Sequence, residues 1–587
     1  MDNDIYSLVR DAETNFIDGT VKKSKYVEWS MHEEIETVEA YSNSKHLSGD
    51  TDALGREKPF YNIVTAAANI WYRATDIDRK DISIKATNTK SELGAFALNI
   101  LLKKYMREEN FGVYLNKWGR TLAKFGSAVS KIVEKDGRLC VEVIPWTRLI
   151  VDAVDFHNNP IIEKIYMTPS QLAKSGYDKK AIKNLLEARS TRKLVSRERV
   201  DDKDDYIEIY EVHGELPLSY ITGNEKDDNE YVQQMHVVSF MGDDENFTLY
   251  SGRETKSPYV LAHLIEEEGS TLAKGAVATL FNEQWMVNHS MKAIKDQLDL
   301  ASKLIFQTSD PSFVGQNVYD SVDTGTILIH SPNQPLTQVA NNSHDITSLQ
   351  NFATNWNNNA KEITSTTDAM RGITPPSGTA LGTVQITTAQ GLSLFELMTE
   401  NKGLALEELI REFIIPYLIK KVNNTNELSV LLEGEGIRKV DAMYIKSEGN
   451  RLYNEKAKKM LLSGQLVEGL DTTDGELSAK QNLEAMGNMR YFIPSEIGDT
   501  TWRDIVKDIE YSVNIEITNE NSNKDADMKT LTSALQIISS NPNILQDPNS
   551  KMILSKLLQS TGVISPLELA EMNTQPTTQE VMPIGRT

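Results

Sequence analysis

Two glycine-bearing stretches come nearest to a phosphate-cradling loop, a turn whose backbone N–H groups wrap a phosphate and which ends in Lys followed by Ser or Thr. Gly269–Gly275 carries Lys274 with no hydroxyl after it, and Gly378–Thr383 has no lysine. Neither is read as a nucleotide site. The nine histidines are dispersed from His32 to His344, with no pair at metal-ligand spacing. His289 and His344 are read as helix or cap residues. Asp76-Ile77-Asp78-Arg79-Lys80-Asp81 resembles the start of a calcium loop, but it lacks the glycine at the sixth position and the closing glutamate, so it is read as a solvated turn. There is no Gly-x-Ser-x-Gly nucleophile elbow. The one cysteine, Cys140, lies in the strand-like run Arg138–Val143 and is read as a buried structural thiol. Among 84 carboxylates chance pairs abound, and none stands out as an acid–base pair. The chain is therefore expected not to be an enzyme and to carry no metal or cofactor.

Charge narrows the classes further. A formal net charge of −22 is the wrong sign for a protein that wraps nucleic acid by neutralising phosphates. With 587 residues the chain exceeds one ordinary core, so several structural regions are expected. No window approaches the apolar run of a membrane span. The start, Met1-Asp2-Asn3-Asp4, has neither the basic residues nor the apolar stretch of a signal peptide. A lone cysteine cannot form an internal disulfide, which suits folding in a reducing compartment.

The elements that would position any site follow from periodicity. Residues 1–50 read as helical and Phe60–Thr75 as a further helix; Ile82–Ala86 alternates like a strand, and helices are expected over Glu92–Arg107 and Tyr114–Phe125. Ala128–Val133, the turn Asp136-Gly137 and Leu139–Ile144 form a hairpin. Ile161–Tyr166 is a strand, and Thr168-Pro169 opens a helix as N-cap and first-turn proline. Strands follow at Tyr206–Val212 and Tyr231–Phe240, around the acidic run Asp201–Asp205, which is read as a solvated face. A helix is expected from Gly275 to Leu304, with Phe281, Trp285, Asn288, Met291, Lys295 and Leu298 in register.

Apolar and small residues at Ile346, Leu349, Ala353, Trp356, Ala360, Ile363, Thr367 and Met370 predict the next helix, which stops at the Gly and Pro residues of Arg371–Gly378. A longer helix is expected from Thr383 to Val422, kinked at Pro416. Ser512–Thr518 alternates strictly and would bury Val513, Ile515 and Ile517.

This succession resembles the portal proteins of tailed bacteriophages, in particular those of short-tailed phages. The wing-like passage is the helix ending before Gly126-Ser127, the Lys-rich hairpin, Pro145 and the ending Ile150-Val151-Asp152. The likeness continues at Pro258-Tyr259 and at Gly275, Leu280, Gln284 and Asn288, covering most of residues 60–520. No single motif is diagnostic. The resemblance implies an α+β fold: a wing in two parts (1–270 and 424–520), stem helices at 271–304 and 344–371, a β-containing clip at 305–343, a tunnel loop at 372–383, a long kinked helix at 384–423, a helical crown at 521–572 and a flexible tail at 573–587.

It also implies a function: a homo-oligomeric, dodecameric ring at one capsid vertex, through which double-stranded DNA is packaged and ejected. The location would be the virion, with the host cytoplasm during assembly. Partners implied are the terminase, the major capsid and scaffold proteins, and head-completion, adaptor or tail proteins; no membrane is involved. The tunnel loop would comprise Ile373, Thr374, Pro375, Pro376, Ser377, Gly378, Thr379, Ala380, Leu381 and Gly382. The clip would dock its partners through Phe306, Phe313, Tyr319, Ile327 and Ile329. Lys292, Lys295, Lys303 and Lys361 are the candidates for facing DNA, against the plainer reading as helix-surface lysines. The segment Asn355, Asn357, Asn358 and Asn359 would face a neighbouring subunit or the tunnel, or form a solvated helix surface. Two other readings stand beside the portal: a phage adaptor or scaffold with no tunnel, and a nucleic-acid-processing enzyme.

Overall fold

The structure, a computed structural model, describes residues 5–87, 91–135, 137–195, 206–241, 245–301, 306–311, 331–335, 337–338, 346–366, 381–422, 430–432, 434–463, 472–486, 490–492 and 509–515. It is a mixed α+β protein. The chain opens with α1 (Ile5–Asp18), the hairpin β1 (Val21–Ser24) and β2 (Val27–Trp29), α2 (Met31–Ser42) and α3 (Val64–Ala74). Then come β3 (Ile82–Ala86), α4 (Glu92–Glu108), α5 (Phe111–Phe125), β4 (Ser127–Lys135) and β5 (Arg138–Ile144). A run of strands and short helices follows: β6 (Leu149–Ile150), β7 (Ile161–Met167), α6 (Pro169–Lys174), α7 (Lys179–Val195), β8 (Ile207–Pro217) and α8 (Ser219–Thr222). It continues as β9 (Tyr231–Met241), β10 (Glu245–Arg253) and β11 (Tyr259–His263).

The middle of the chain is α9 (Ala276–Thr279), α10 (Phe281–Ala301), β12 (Phe306–Gln307), β13 (Thr337–Gln338), α11 (Ile346–Ile363), α12 (Leu381–Leu409) and, after a π turn at Ile410–Ile414, α13 (Ile415–Val422). The last elements are β14 (Val430–Leu432), α14 (Gly434–Leu462), α15 (Thr473–Met486), β15 (Arg490–Phe492) and β16 (Tyr511–Ile515).

Two compact units emerge. The first comprises Met1–Thr75, Trp118–Val129 and Ile144–Asn401; the second comprises Asp76–Lys117, Ser130–Val143 and Lys402–Thr587. The first unit is built on an antiparallel sheet of order β10-β9-β8-β7-β6. Side chains alternate across its plane. Tyr210, Val212, Ile162 and Val238 pack under Ile5 and Val9 of α1, while Ile207, Ile209 and Val237 pack with Leu172 of α6 and Ile182 and Leu185 of α7. Thr168 caps α6 as expected: its hydroxyl accepts from the Gln171 N–H, and the Gln171 side chain returns the bond.

The second unit pairs β3 with β16, and Val513 is buried there. The edge of β3 is closed by Asn99, whose amide accepts from Ile84 N at 2.7 Å and donates to Ile84 O at 2.6 Å. In the same unit Tyr105 packs against Tyr417 at 6.2 Å.

Several expectations are corrected. Residues 1–50 are not helical throughout, because Gly19-Thr20 ends the first helix and Lys23 turns back over the Trp29 ring at 4.4 Å, making a hairpin. The turn at Asp76–Asp81 is less solvated than expected: Ile77 and Asp81 are buried, and Asp81 accepts from Asp78 N in a capping box. Cys140 is half-buried rather than buried, and burial and then its hydrogen bond to Glu109 hold the thiol above its ordinary value. The helix expected over Ile346–Met370 ends at Ile363, and Leu381 and Gly382, expected in the loop, are the first residues of α12. The irregularity expected at Pro416 lies one turn earlier, as a π turn closed by Ile415 N to Ile410 O. A proline cannot bond the carbonyl four residues back and its ring crowds it; the wider turn removes that conflict. Ile517, the crown and the tail lie outside the described residues, as does Asp201–Asp205.

Two features of the packing make measurable predictions. Gly126 has φ +79°, and a Cβ on Gly275 would stand 2.3 Å from the Lys124 carbonyl, so the two glycines let backbones touch. Gly275→Ala should therefore lower stability by about 3 kcal/mol, read as a fall in thermal midpoint. Lys402 is buried, and desolvation, opposed by Asp76, pushes its ammonium down to about 8. A folded value below the ordinary lysine value means that burial penalises the charged form in full below pH 8, and less as pH rises towards the ordinary value. Lys402→Met should raise stability by about 1–3 kcal/mol at neutral pH, and that gain should shrink above pH 8 in unfolding titrations.

Candidate functional site

The feature that stands apart in the first unit is a helical hairpin. α10 has 21 residues, about 30 Å at the rise of an α-helix. It packs along α11, and Asn359 near the end of α11 donates to Glu283 near the start of α10 at 3.2 Å, so the two helices run antiparallel. The buried residues of α11 are Ala353 and Ala360, seven apart on one stripe, and small side chains there allow close approach. At the other end of the hairpin β12 pairs with β13, Phe306 opposite Gln338 and Gln307 opposite Thr337. Below that ribbon the buried Asp310 accepts from Ser331 N at 2.8 Å, and Thr308 donates to Gln334 O at 3.1 Å.

Of the expected register on α10 only Asn288 is buried. Trp285 and Leu298 are exposed, and the helix also buries Glu283, Gln284, Val287, Ser290 and Ile294. The reason is a strap formed by residues 50–64. Gln284, with no exposed surface, accepts from Ile63 N at 2.9 Å and donates to Tyr61 O at 2.7 Å and to Asn288 Oδ1 at 3.0 Å. Asn288 Oδ1 accepts in turn from Tyr61 N at 3.0 Å.

Further along, Lys295 Nζ donates to Glu57 O at 2.5 Å, and Arg56 bridges Asp52 at 2.8 Å and Asp296 at 3.2 Å. The Asp52 carboxylate sits at about 2, chiefly because the Arg56 backbone N–H and side chain bond its charged form. The far end of the hairpin's second helix is tied by Trp71 of α3, whose ring N–H donates to Thr364 O at 3.1 Å and whose ring meets Phe395 of α12 near-perpendicular at 6.4 Å.

Of the lysines singled out, Lys292 pairs with Asp296 at 3.1 Å and Lys295 is held by the strap. Lys361 lies half-buried in the last turn of α11, and Lys303 is outside the described residues. Asn355, Asn358 and Asn359 are exposed and Asn357 is half-buried. Trp285 stacks on His289 with ring centroids 5.4 Å apart, and Phe352 meets Trp356 edge-on. Of the clip residues only Phe306 is described, in β12; Phe313, Tyr319, Ile327 and Ile329 lie outside, as do Ile373–Ala380 of the tunnel loop and His344. Among the described residues no group of three or more His, Cys, Asp or Glu could hold a metal ion, and no helix is long and apolar enough to cross a membrane.

Sequence reasoning missed the strap. Its one signal was an amide pair, Gln284 and Asn288, at i and i+4. No protein-family model and no curated protein matches the sequence.

Gln284→Leu keeps the size of the side chain and leaves Ile63 N–H and Tyr61 C=O without their partner. The expected loss is about 2–4 kcal/mol in denaturant unfolding. Lys295→Met, which removes one exposed contact, should change stability by about 0.5 kcal/mol or less.

Proposed function

We propose that the chain is a subunit of a tailed-phage portal, a ring at one capsid vertex through which double-stranded DNA enters and leaves. The observation that carries this reading is the antiparallel α10–α11 hairpin, capped at its far end by the β12–β13 ribbon and followed by the α12–α13 helix with its π turn. A stem, a strand-bearing clip and a long irregular helix are what the resemblance implies, in that order. On this reading the ring is dodecameric, the protein catalyses no reaction, and it resides in the virion after assembly in the host cytoplasm.

The charge pattern supports passage without retention. A chain with a net charge of −22 repels phosphates overall, and each condensed counterion left in place is binding free energy not gained. Lys292 already faces Asp296, and Lys295 already donates to a carbonyl, so either would grip a passing duplex weakly. The loop at Ile373–Gly382, multiplied by ring symmetry, would narrow the channel and act as a valve on retained DNA. The clip would receive the terminase during packaging and the head-completion, adaptor or tail proteins later, while the wing would meet the major capsid and scaffold proteins.

Electron microscopy of the purified chain, alone and with the capsid and scaffold proteins, tests the reading. Closed rings with a hole wide enough for duplex DNA are expected. Monomers or small open oligomers under both conditions would replace the portal with an adaptor that has no tunnel. The valve has its own test: deletion of Thr374–Ala380 should leave rings intact and reduce DNA retention in infected cells, and unchanged packaging and retention would reject it.

A further inference from the structure

One buried ion cluster lies away from the hairpin, in the five-stranded sheet. His213 of β8 is 2% exposed, and both its ring nitrogens face carboxylates: Nδ1 stands 2.8 Å from Glu254 Oε2 and Nε2 stands 2.9 Å from Glu211 Oε1. A neutral imidazole has one N–H and one lone pair, so it can satisfy only one ionised carboxylate. With both carboxylates ionised, two short contacts of this kind require two N–H groups, and therefore the imidazolium.

Every element packed around the ring adds to its surroundings. Tyr259 of β11 meets it edge-on at 5.2 Å and donates to Glu163 of β7 at 3.2 Å. Tyr177, beyond α6, feels the charges of Glu211 and Glu163. His236 of β9, paired with Val212 and so on the opposite face of the sheet, is held down at about 4 by burial and by the charge of His213. Both tyrosines are raised, chiefly by burial, and stay protonated. Burial alone would push His213 down, but Glu211 and Glu254 outweigh it and hold it above its ordinary value.

We propose that His213 is a proton-controlled pin. With both ring nitrogens protonated, it ties the segment Glu254–Pro258, which leads into β11, to strand β8; on losing one proton it releases the Glu254 side chain to water. Glu254 is the partner that leaves, because its side chain is 20% exposed against 8% for Glu211, and water can rehydrate it. Its backbone N–H remains bonded to Gln233 O at 2.9 Å, so the release begins beyond that residue. The pin thereby governs how firmly β11 is anchored to the large sheet. Asn401 bonds the Leu264 carbonyl just after β11.

The sign follows from the raised folded-state value. The stabilisation is fully present below the ordinary imidazole value and is lost as pH rises through the folded one. Inside that window the pinned state weakens by up to about tenfold per pH unit.

Hydrogen exchange followed by mass spectrometry on the full chain, from about pH 6 to about pH 9 with labelling times corrected for intrinsic rates, reads this directly. The peptide over Thr255–His263 should lose protection with rising pH while that over Tyr231–Met241 does not. Glu254→Gln should keep Thr255–His263 protected throughout, because an amide can accept from an imidazole N–H or donate to its lone pair. A wild-type peptide whose protection is independent of pH, loss of protection in both peptides together, or a Gln variant with the wild-type pH response would each overturn the proposal.

Discussion

Gln284 is wholly buried and uses both ends of its amide: the oxygen takes the Ile63 N–H while the nitrogen serves the Tyr61 carbonyl and Asn288. A buried amide left half-satisfied is costly, so this geometry admits little variation. It sets which face of α10 turns inward, and thereby which face is left for everything else. Trp285 and Leu298 are exposed because Gln284 and Asn288 occupy the inner face. Trp71 does matching work at the same end of the hairpin, where its ring N–H donates to the Thr364 carbonyl just past α11.

The polar interior of the first unit is not confined to this site. The sheet that packs α1 on one face and α6 and α7 on the other also holds Glu163, Glu211 and His213 within it. Such groups add little net stability when paired, yet breaking one pair leaves a charge without solvent or partner. Glu211 stands opposite Glu163 in register, and His213 and the Tyr259 hydroxyl bond these carboxylates. A one-residue slip would move all of them to the other face.

Much of the fold was legible because it rests on local rules. Alternation located β3, β4, β8, β9 and β16, Thr168-Pro169 marked the start of α6, and the turn before Gly137 joined β4 to β5. The failures share a cause. The hairpin Val21–Trp29 is too short for its period to register between two helices, and it is held by Lys23 over Trp29 and by a bond from Lys23 to Glu267, remote in sequence. The π turn was expected only as a kink at Pro416, because proline announces a conflict without saying how the helix will relieve it.

What the sequence determined by itself was many of the elements and their order, since helix and strand periods, caps and turns act over a few residues. It also set the acidity of the chain and the mixed α+β class. On α11 the predicted stripe holds the buried Ala353 and Ala360, but on α10 only the tertiary structure decided which face is buried. On α10 the expected register was Phe281, Trp285, Asn288, Met291, Lys295 and Leu298, yet of these only Asn288 is buried, because it and Gln284 supply partners to backbone groups of the strap. Hydrophobic periodicity counts apolar area along one helix. It cannot see an N–H and a C=O, 221 and 223 residues away in sequence, that must be satisfied once the chain folds over them.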